Sequence, residues 1–263
     1  MIRYILVFCL ITFASKAYCA SLMVLDGGEG LLVRVLNENN SIWIDTGGLN
    51  KIRENLNKFK KNNEPYPSDI FLTHLHPDHA SGIFEIIEKN PEVNIYDNCM
   101  PNINLKDGEI IRWTNDLLSS YKKRVCVNDK SKILFGDIEI EVLWPTGNFN
   151  SKNHNFYSLV LKISRDSKNI LIMGDATSEV ERWLIKNKAA SIKDINVLIV
   201  GHHGSDAASS EDFINAVSPD IAVVSANKNN IRGYPSEKII KRLNRSVNNV
   251  WITGKDGDFN YNF

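Results

Sequence analysis

The feature that most constrains this chain is the segment at residues 69–79, where a short apolar run leads directly into a cluster of polar side chains. The apolar run at residues 70–72 is typical of a buried strand. Three histidines and one aspartate follow within six positions, and they are His74, His76, Asp78 and His79. Side chains alternate along extended backbone, so His74 and His76 face the same side, and Pro77 disfavours helix at the residue before it. Imidazole and carboxylate groups at this spacing predict a site for divalent metal ions.

This segment, Thr73–His79, resembles the His-x-His-x-Asp-His signature of the metallo-β-lactamase superfamily. The resemblance implies an α+β protein with a four-layer αββα sandwich, the metallo-β-lactamase fold, in which metal ions lie at one edge between two sheets. Residues 21–263 contain no linker, low-complexity segment or charge block. We therefore expect one hydrolase domain of this fold over that range.

Further polar residues follow predicted strands at places that match other motifs of the superfamily. Asp45 ends one such strand, and there the resemblance implies a carboxylate that orients the metal loop without binding a metal. Asp175 follows a second strand and matches the carboxylate that bridges two metal ions. His154 stands before a third strand and four residues before Ser158, which is the spacing of the third metal motif.

The resemblance implies two divalent metal ions, with zinc expected and manganese as the alternative. The predicted ligands are His74, His76, Asp78, His79, His154, Asp175, His202 and His203. One ion would be bound by His74, His76 and His154. The other would be bound by Asp78, His79 and one histidine of the pair at 202–203, while Asp175 would bridge the two ions.

Two of these assignments stay open. His154 is either a ligand or a loop residue near the site, because related sequences often have asparagine in this neighbourhood, as Asn155 would provide. Sequence does not separate the neighbours His202 and His203, and we slightly prefer His202 as the ligand. The other histidine would face the substrate as a general acid or oxyanion donor. The predicted catalytic residues are Asp78, His202, His203 and Tyr234.

The chain also resembles the metallo-hydrolase domain of the ComEC/Rec2 DNA-uptake proteins. This similarity rests on Gly-His-His-Gly-Ser at 201–205, on Asp-x-Gly-x-Gly at 26–30, and on residues 251–257. Two positions depart from that group: Tyr234 precedes a proline where the group commonly has histidine, and Leu31 stands where it commonly has aspartate.

This narrower resemblance implies an enzyme that hydrolyses its substrate with a water activated between two metal ions. The expected substrate is a phosphodiester, either DNA or a phosphorylated small molecule or glycan. A β-lactam or lactone hydrolase is the alternative enzyme. A non-catalytic binding module on the same scaffold is the alternative of another class, and it need not retain two metal ions after dialysis.

The N-terminal segment at residues 1–20 has the pattern of a signal peptide. Arg3 precedes an apolar run at 5–13, and small residues follow up to Ala20. Cleavage after Cys19 or Ala20 would export the protein to the periplasm or the medium, with no stable membrane anchor left. An uncleaved N-terminal anchor is the alternative.

Composition adds two constraints. Removing residues 1–20 would take away Arg3 and Lys16, so 29 of the 31 basic residues would remain against 31 acidic ones. This balance argues against bulk electrostatic capture of nucleic acid or membrane. Cys99 and Cys126 would be the cysteines left, either joined as a disulfide in an oxidising compartment or buried as two free thiols. The oligomeric state is not indicated.

Overall fold

A computed structural model of the 263-residue chain describes residues 20–38, 40–99, 108–147, 151, 153–228 and 230–263. The predicted signal peptide lies outside the described residues except for Ala20. In the part of the chain that the structure describes, no helix is both long and apolar enough to cross a membrane.

The first sheet has seven strands in the order β14-β1-β2-β3-β4-β5-β6, numbered along the chain. Their bounds are β1 Ser21–Val24, β2 Val33–Asn37, β3 Asn40–Ile44, β4 Asp69–Phe71, β5 Asn94–Asp97, β6 Arg124–Cys126 and β14 Phe259–Asn262. Neighbouring strands are antiparallel from β14 to β3 and parallel from β3 to β6.

The second sheet also has seven strands, in the order β13-β12-β11-β10-β9-β8-β7. Their bounds are β7 Lys132–Phe135, β8 Ile138–Trp144, β9 Val160–Arg165, β10 Lys168–Ile172, β11 Val197–Ile199, β12 Ile221–Val224 and β13 Asn249–Ile252. Strands β7 to β10 are antiparallel, and β10 to β13 are parallel. Each sheet is thus antiparallel on one side and parallel on the other.

Helices cover the outer faces of both sheets. Their bounds are α1 Leu49–Lys61, α2 Pro77–Ala80, α3 Ile83–Lys89, α4 Glu109–Ser120, α5 Ser178–Asn187, α6 Glu211–Val217, α7 Glu237–Ser246 and α8 Thr253–Asp256. Two single-turn 3-10 helices occupy His154–Tyr157 and Gly201–Gly204. Helices pack on the sheets because their apolar side chains lie on one face. In α1, for example, Ile52, Leu56 and Phe59 lie on one face and are buried against the first sheet.

Alternation along the strands separates three apolar cores. In β3, Ile42 and Ile44 point into the core between the two sheets, whereas Trp43 packs against Phe59 of α1 at 5.5 Å between ring centroids. In β10 of the second sheet, Leu171 points away from the core between the sheets and into the core formed with α5, α6 and α7. The order of layers is therefore helix, sheet, sheet, helix, which confirms the predicted αββα sandwich.

The parallel strands determine where the site forms. Strands β3 and β4 of the first sheet, and β10, β11 and β12 of the second, each end in a polar segment. Because parallel strands bring their carboxyl ends to one edge of a sheet, residues far apart in sequence meet there.

Candidate metal centre

The loop after β4 carries the first group of predicted ligands. His74 is 3% exposed and His79 is completely buried. Pro77 is the first residue of the one-turn helix α2, which also holds Asp78 and His79. Proline is favoured at this position because the first helical N–H needs no partner within the helix. The loop is therefore a rigid turn that places Asp78 and His79 side by side.

The carboxylate of Asp45 fixes this loop through three contacts. Its Oδ1 accepts a hydrogen bond from the Thr73 N–H at 2.7 Å, and its Oδ2 accepts one from Thr73 Oγ1 at 2.7 Å. Oδ2 also lies 2.7 Å from Nδ1 of His79. Burial raises the pKa of Asp45, although the neighbouring His79 opposes that shift. A carboxylate in contact with Nδ1 keeps the proton there, so it leaves Nε2 of His79 facing the cluster.

His203 is oriented by an equivalent contact from the second sheet. Its Nδ1 donates to the carbonyl oxygen of Ser225 at 2.9 Å, so the Nε2 of a neutral ring carries a lone pair. That Nε2 lies 3.1 Å from Nε2 of His79 and 3.3 Å from Oδ1 of Asp175. It also lies 3.9 Å from Oδ2 of Asp78. Two lone pairs and a carboxylate oxygen this close together require a proton or a cation among them.

Asp175 lies at the centre of the cluster. Its Oδ1 is 3.1 Å from Nε2 of His79, while its Oδ2 is 3.7 Å from Nε2 of both His74 and His202. The Ser158 hydroxyl accepts a hydrogen bond from the Asp175 N–H at 2.9 Å and so fixes the backbone beneath the carboxylate. Asp175 is therefore the one carboxylate that reaches both sides of the cluster among the described residues.

The donor set fits divalent metal ions. Two groups have ligand atoms within 4.8 Å of one another, and they are His74, His79 and Asp175, and Asp78, His79 and His203. Two buried atoms that face this cluster, Nε2 of His74 and Oδ1 of Asp175, make no hydrogen bond. Buried polar atoms without hydrogen bonds are costly, and coordination to a cation would satisfy both.

Electrostatics keep most of these donors ready to coordinate. Burial, together with the nearby charge of His79, places the pKa of His74 well below its ordinary value. Burial likewise lowers the pKa of His76 and of His202. Burial opposes ionisation of Asp175, but His79 and His203 prevail and hold its pKa well below the usual range. At neutral pH the site therefore presents three neutral imidazoles, those of His74, His76 and His202, near the ionised carboxylate of Asp175.

His79 differs from the other histidines. Burial disfavours its charged form, but Asp175 and Asp45 outweigh that effect and raise its pKa well above the ordinary value. A proton on Nε2 of His79, which faces Asp175, thus occupies the place that a metal ion would take. Protons and metal ions compete for such sites.

His76 and His154 lie at the more exposed side of the cluster. The His76 ring is 4.5 Å from the His74 ring, and the His154 ring stacks on that of His76 at 5.7 Å with an interplanar angle of 14°. Neither belongs to the two tight groups. Asn155 is buried beside them, and its Nδ2 lies 3.2 Å from Nε2 of His202. His154 and Asn155 were the alternatives that the sequence left open for the third metal motif, and both therefore border the site.

The structure favours His203 over His202 as the ligand, opposite to our preference from sequence. His203 is in a tight group with Asp78 and His79, whereas His202 contacts Asn155 and lies 5.6 Å from the Tyr234 ring between centroids. The reason is backbone conformation, since both histidines have positive φ angles of 49° and 54°. This left-handed turn directs the second imidazole back towards Ser225.

Arg232 and Ser225 were missed in the sequence analysis, and Gly30 was identified only as part of the Asp-x-Gly-x-Gly pattern. Arg232 places its Nη1 2.8 Å from Oδ2 of Asp78. Gly30 lies so close to the metal loop that a Cβ atom would come within 1.7 Å of the Asp78 carbonyl oxygen. Ser225 donates its hydroxyl proton to the Gly30 carbonyl at 2.8 Å. The glycine-rich turn gave a signal for close backbone approach, but the sequence did not show its partner.

Comparisons with known proteins agree with this geometry. Residues 30–98 match the model of the metallo-beta-lactamase superfamily. The fold is similar to that of the metallo-beta-lactamase fold protein YhfI from Bacillus subtilis, with a TM-score of 0.62, 12% identity, and coverage of 93% of this chain and 100% of YhfI. It is also similar to a diphosphatase of the PhnP family, with a TM-score of 0.56, 12% identity, and coverage of 93% and 98%. The chain thus contains a metallo-β-lactamase superfamily domain, of the class of metal-dependent hydrolases.

Relatives found by sequence similarity belong to a smaller group of proteins. The chain is 26% identical over 243 residues to Recombination protein 2 of Haemophilus influenzae, covering 91% of this chain and 28% of that protein. It is 25% identical over 259 residues to ComE operon protein 3 of Bacillus subtilis, covering 90% and 32%. It is 27% identical over 225 residues to Competence protein ComA of Neisseria gonorrhoeae, covering 85% and 29%. The chain is therefore homologous to ComEC-type competence proteins and spans about a third of their length.

Proposed function

We propose that this protein is an exported metal-dependent phosphodiesterase. The observation that carries the proposal is the convergence of His79 Nε2, His203 Nε2 and Asp175 Oδ1 within 3.3 Å of one another or less, with the other ring nitrogen of each histidine already bonded. Imidazole nitrogens and a carboxylate oxygen are ligands suited to divalent cations such as zinc, with manganese as the alternative.

Two ions are assigned to the cluster. One would be held by His74, His76 and either His154 or a neighbouring residue such as Asn155. The other would be held by Asp78, His79 and His203. Asp175, which reaches both sides, would be shared. When bound, a pair of divalent ions supplies an acidified water and a Lewis acid for the scissile bond.

The remaining residues of the site would handle the substrate. His202 stays neutral near pH 7 because burial lowers its pKa, so it acts as a hydrogen-bond partner rather than a charged group. Tyr234 lies beside it on the loop after β12 and can donate its phenolic proton to a leaving oxygen. Both side chains are partly exposed, which supports a role in contacting the substrate.

The phosphodiester substrate is supported by the relatives rather than by the metal site alone. Several are named for competence or recombination, and one structural neighbour is named a diphosphatase. DNA and a phosphorylated small molecule or glycan both contain the bond that such a centre would hydrolyse. The site lies where strands of both sheets end, and His76, His154 and His202 beside it are partly exposed, as either substrate requires.

Export is supported by the disulfide between Cys99 and Cys126. These cysteines follow β5 and end β6, and their Cα atoms are 5.2 Å apart. Of the two states open from sequence, the structure has the disulfide, which persists mainly in oxidising compartments. Ala20 is buried and its carbonyl accepts a hydrogen bond from the Phe263 N–H, so cleavage after Cys19 would preserve a contact that cleavage after Ala20 would remove. Sequencing the N-terminus of exported protein tests this assignment.

Hydrolysis of bis-p-nitrophenyl phosphate by the zinc- or manganese-loaded protein tests the proposed activity. We expect turnover that is lost in His79→Gln, since His79 belongs to both tight groups. A chromogenic cephalosporin and a lactone are assayed in parallel. Turnover of these alone would contradict the phosphodiesterase and favour the alternative enzyme. Loss of the metals on dialysis without any turnover would favour a binding module, whereas two retained metals without turnover would argue against the phosphodiester substrate.

A further inference from the structure

Residues 230–235 lie in the loop between β12 and α7, and they reach the metal centre through Arg232, whose side chain contacts Asp78. Asn230 organises this loop, since its Oδ1 accepts hydrogen bonds from the N–H groups of Arg232 at 2.8 Å and Tyr234 at 3.4 Å. The loop is also tied to the glycine-rich turn, because the Ile231 N–H donates to Oε1 of Glu29 at 3.3 Å. The backbone that carries Arg232 is therefore anchored on both sides.

The guanidinium of Arg232 joins the buried cluster to solvent. Its Nη1 lies 2.8 Å from Oδ2 of Asp78, and its Nε lies 4.0 Å from Oε2 of Glu29. The Arg232 side chain is 49% exposed, whereas that of Asp78 is only 10% exposed. A guanidinium has five N–H donors in a planar fork, so the contacts through Nη1 and Nε leave further donors on this half-exposed side chain.

We propose that Arg232 binds an anionic oxygen of the substrate and thereby selects phosphodiesters over neutral esters. This inference rests on the proposed phosphodiesterase function. A phosphodiester has one negative charge shared by two non-bridging oxygens, and the planar guanidinium matches that pair. A lactone or an uncharged carboxylic ester offers no such group. Arg232 thus recognises the class of substrate, while the cluster beneath it supplies the reaction.

The position of Arg232 supports a role in recognition rather than only in support of Asp78. Asp78 is already held by α2 and by the Gly30 turn, which its carbonyl oxygen touches. A supporting cation needs no exposure, and yet half of this side chain faces solvent. Glu29 at 4.0 Å steadies the guanidinium from the outer side without covering it.

The test compares Arg232→Gln and Arg232→Lys with a matched control, Arg53→Gln. Arg53 is 59% exposed and pairs with Glu85 at 3.1 Å, and it lies on α1, outside the metal centre. Each zinc-loaded variant is assayed on bis-p-nitrophenyl phosphate and on the neutral ester p-nitrophenyl acetate, and its metal content is measured.

We expect Arg232→Gln to lower kcat/KM for the phosphodiester about 10- to 100-fold, as loss of a charge-assisted hydrogen bond implies. Turnover of the neutral ester should change by less than about 2-fold, and two metals should remain bound. Arg232→Lys should recover part of the loss, because it keeps the charge but not the fork. Equal losses on both substrates, or loss of a metal, would overturn the proposal and leave Arg232 as a support for Asp78.

A binding measurement tests the anion-binding role of Arg232 independently of whether the protein hydrolyses phosphodiesters. Inorganic phosphate is titrated calorimetrically into zinc-loaded wild type and Arg232→Gln. Binding that weakens about 10-fold or more in the variant supports the anion site even if the wild type hydrolyses no phosphodiester. Equal affinities, or no binding by the wild type, would overturn the anion site regardless of activity.

Discussion

The two ends of the histidine cluster are held very differently. At the inner end, formed by Asp78, His79 and His203, each imidazole bonds a separate partner through Nδ1, at 2.7 and 2.9 Å, and all three residues are buried. At the outer end, His76 and His154 are half-buried and stack on one another. Groups already fixed in the binding geometry lose less entropy when a ligand binds. The inner end thus has its candidate ligands already fixed in place, whereas the outer end would need adjustment to bind a cation.

The largest expected effect comes from removing an inner ligand. His203→Ala should lose one of two metal ions and lower phosphodiester turnover more than about 100-fold, beyond the range typical of residues that only orient a ligand. His202→Ala should retain both ions, since His202 contacts Asn155 rather than the inner group. Metal content measured by mass spectrometry shows which of the two histidines is the ligand. Loss of an ion in His202→Ala but not in His203→Ala would restore our sequence-based preference for His202.

Asp45→Asn tests the preformed character of the inner end. Asparagine tolerates the positive φ of 60° at this position and can still accept from Thr73. Its amide, however, would donate to Nδ1 of His79 and move the ring proton to Nε2, where a metal should bind. We expect metal affinity or turnover to fall about 10- to 100-fold.

Asp69→Asn is the matched control for this change. Asp69 is another buried carboxylate of the same sheet, and it accepts from Asn94 and Tyr96 rather than from the metal loop. Its replacement should leave the metals bound. Unchanged metal affinity in Asp45→Asn would show that the inner end does not depend on this tautomer.

A smaller effect is expected at the outer end. His154→Ala should weaken one metal about 10-fold if His154 is a ligand, because the remaining donors at that end are only partly fixed. Asn155→Ala should instead affect His202, its partner at 3.2 Å, and leave that metal affinity unchanged. Competition with a chromogenic zinc chelator measures both variants, and the reverse pattern would assign the role to Asn155.

The smallest effect concerns the pH dependence of stability in the metal-free protein. The folded-state pKa of His74 is well below the unfolded value of about 6.5. The unfolded chain therefore takes up a proton below that pH while the folded chain does not, and stability falls by at most about 1.4 kcal/mol per pH unit on acidification. His79, whose pKa is raised, contributes in the opposite sense, with stability lost only as pH rises above about 6.5.

Urea unfolding at pH 5, 6 and 7 isolates the His74 contribution from that of His79. We expect His74→Asn to flatten the dependence of the unfolding free energy on pH in this window. An unchanged slope would mean that His74 is protonated in the folded, metal-free protein.

Individual helices and strands could be predicted from local periodicity, whereas the αββα arrangement was expected from the resemblance to the metallo-β-lactamase superfamily. The apolar spacing of Ile52, Leu56 and Phe59 predicts a helix over residues 50–61, which the structure has as α1, Leu49–Lys61. Two strand-like runs on either side of Gly136 predict a hairpin over residues 133–144, and these runs are β7 and β8. The region 98–130 showed no such pattern, and it contains α4 and β6 in its described part. Helix α4 exposes Trp113 and Ile110, so its surface obscures the apolar spacing by which a helix is found.

The site was only partly predictable, for a different reason. Residues that follow strands in a motif could be located, and the structure brings His74, Asp78, His79, Asp175 and His203 together. The choice between His202 and His203 depends on two consecutive left-handed residues, which sequence does not reveal. Arg232 lies in a loop without periodicity, and its partner Asp78 is 154 positions away. Contacts of that kind come from topology alone.

The contact between Ser225 and Gly30 also has a consequence for the order in which the molecule assembles. The two residues are 195 positions apart, and Gly30 in turn packs against the carbonyl of Asp78. During synthesis, the histidine loop emerges long before the strand β12 that completes its surroundings. A nascent chain that ends before β12 therefore lacks both the Ser225 contact and the carbonyl that orients His203. Tight metal uptake would then be a late event, marking the completion of the fold rather than initiating it.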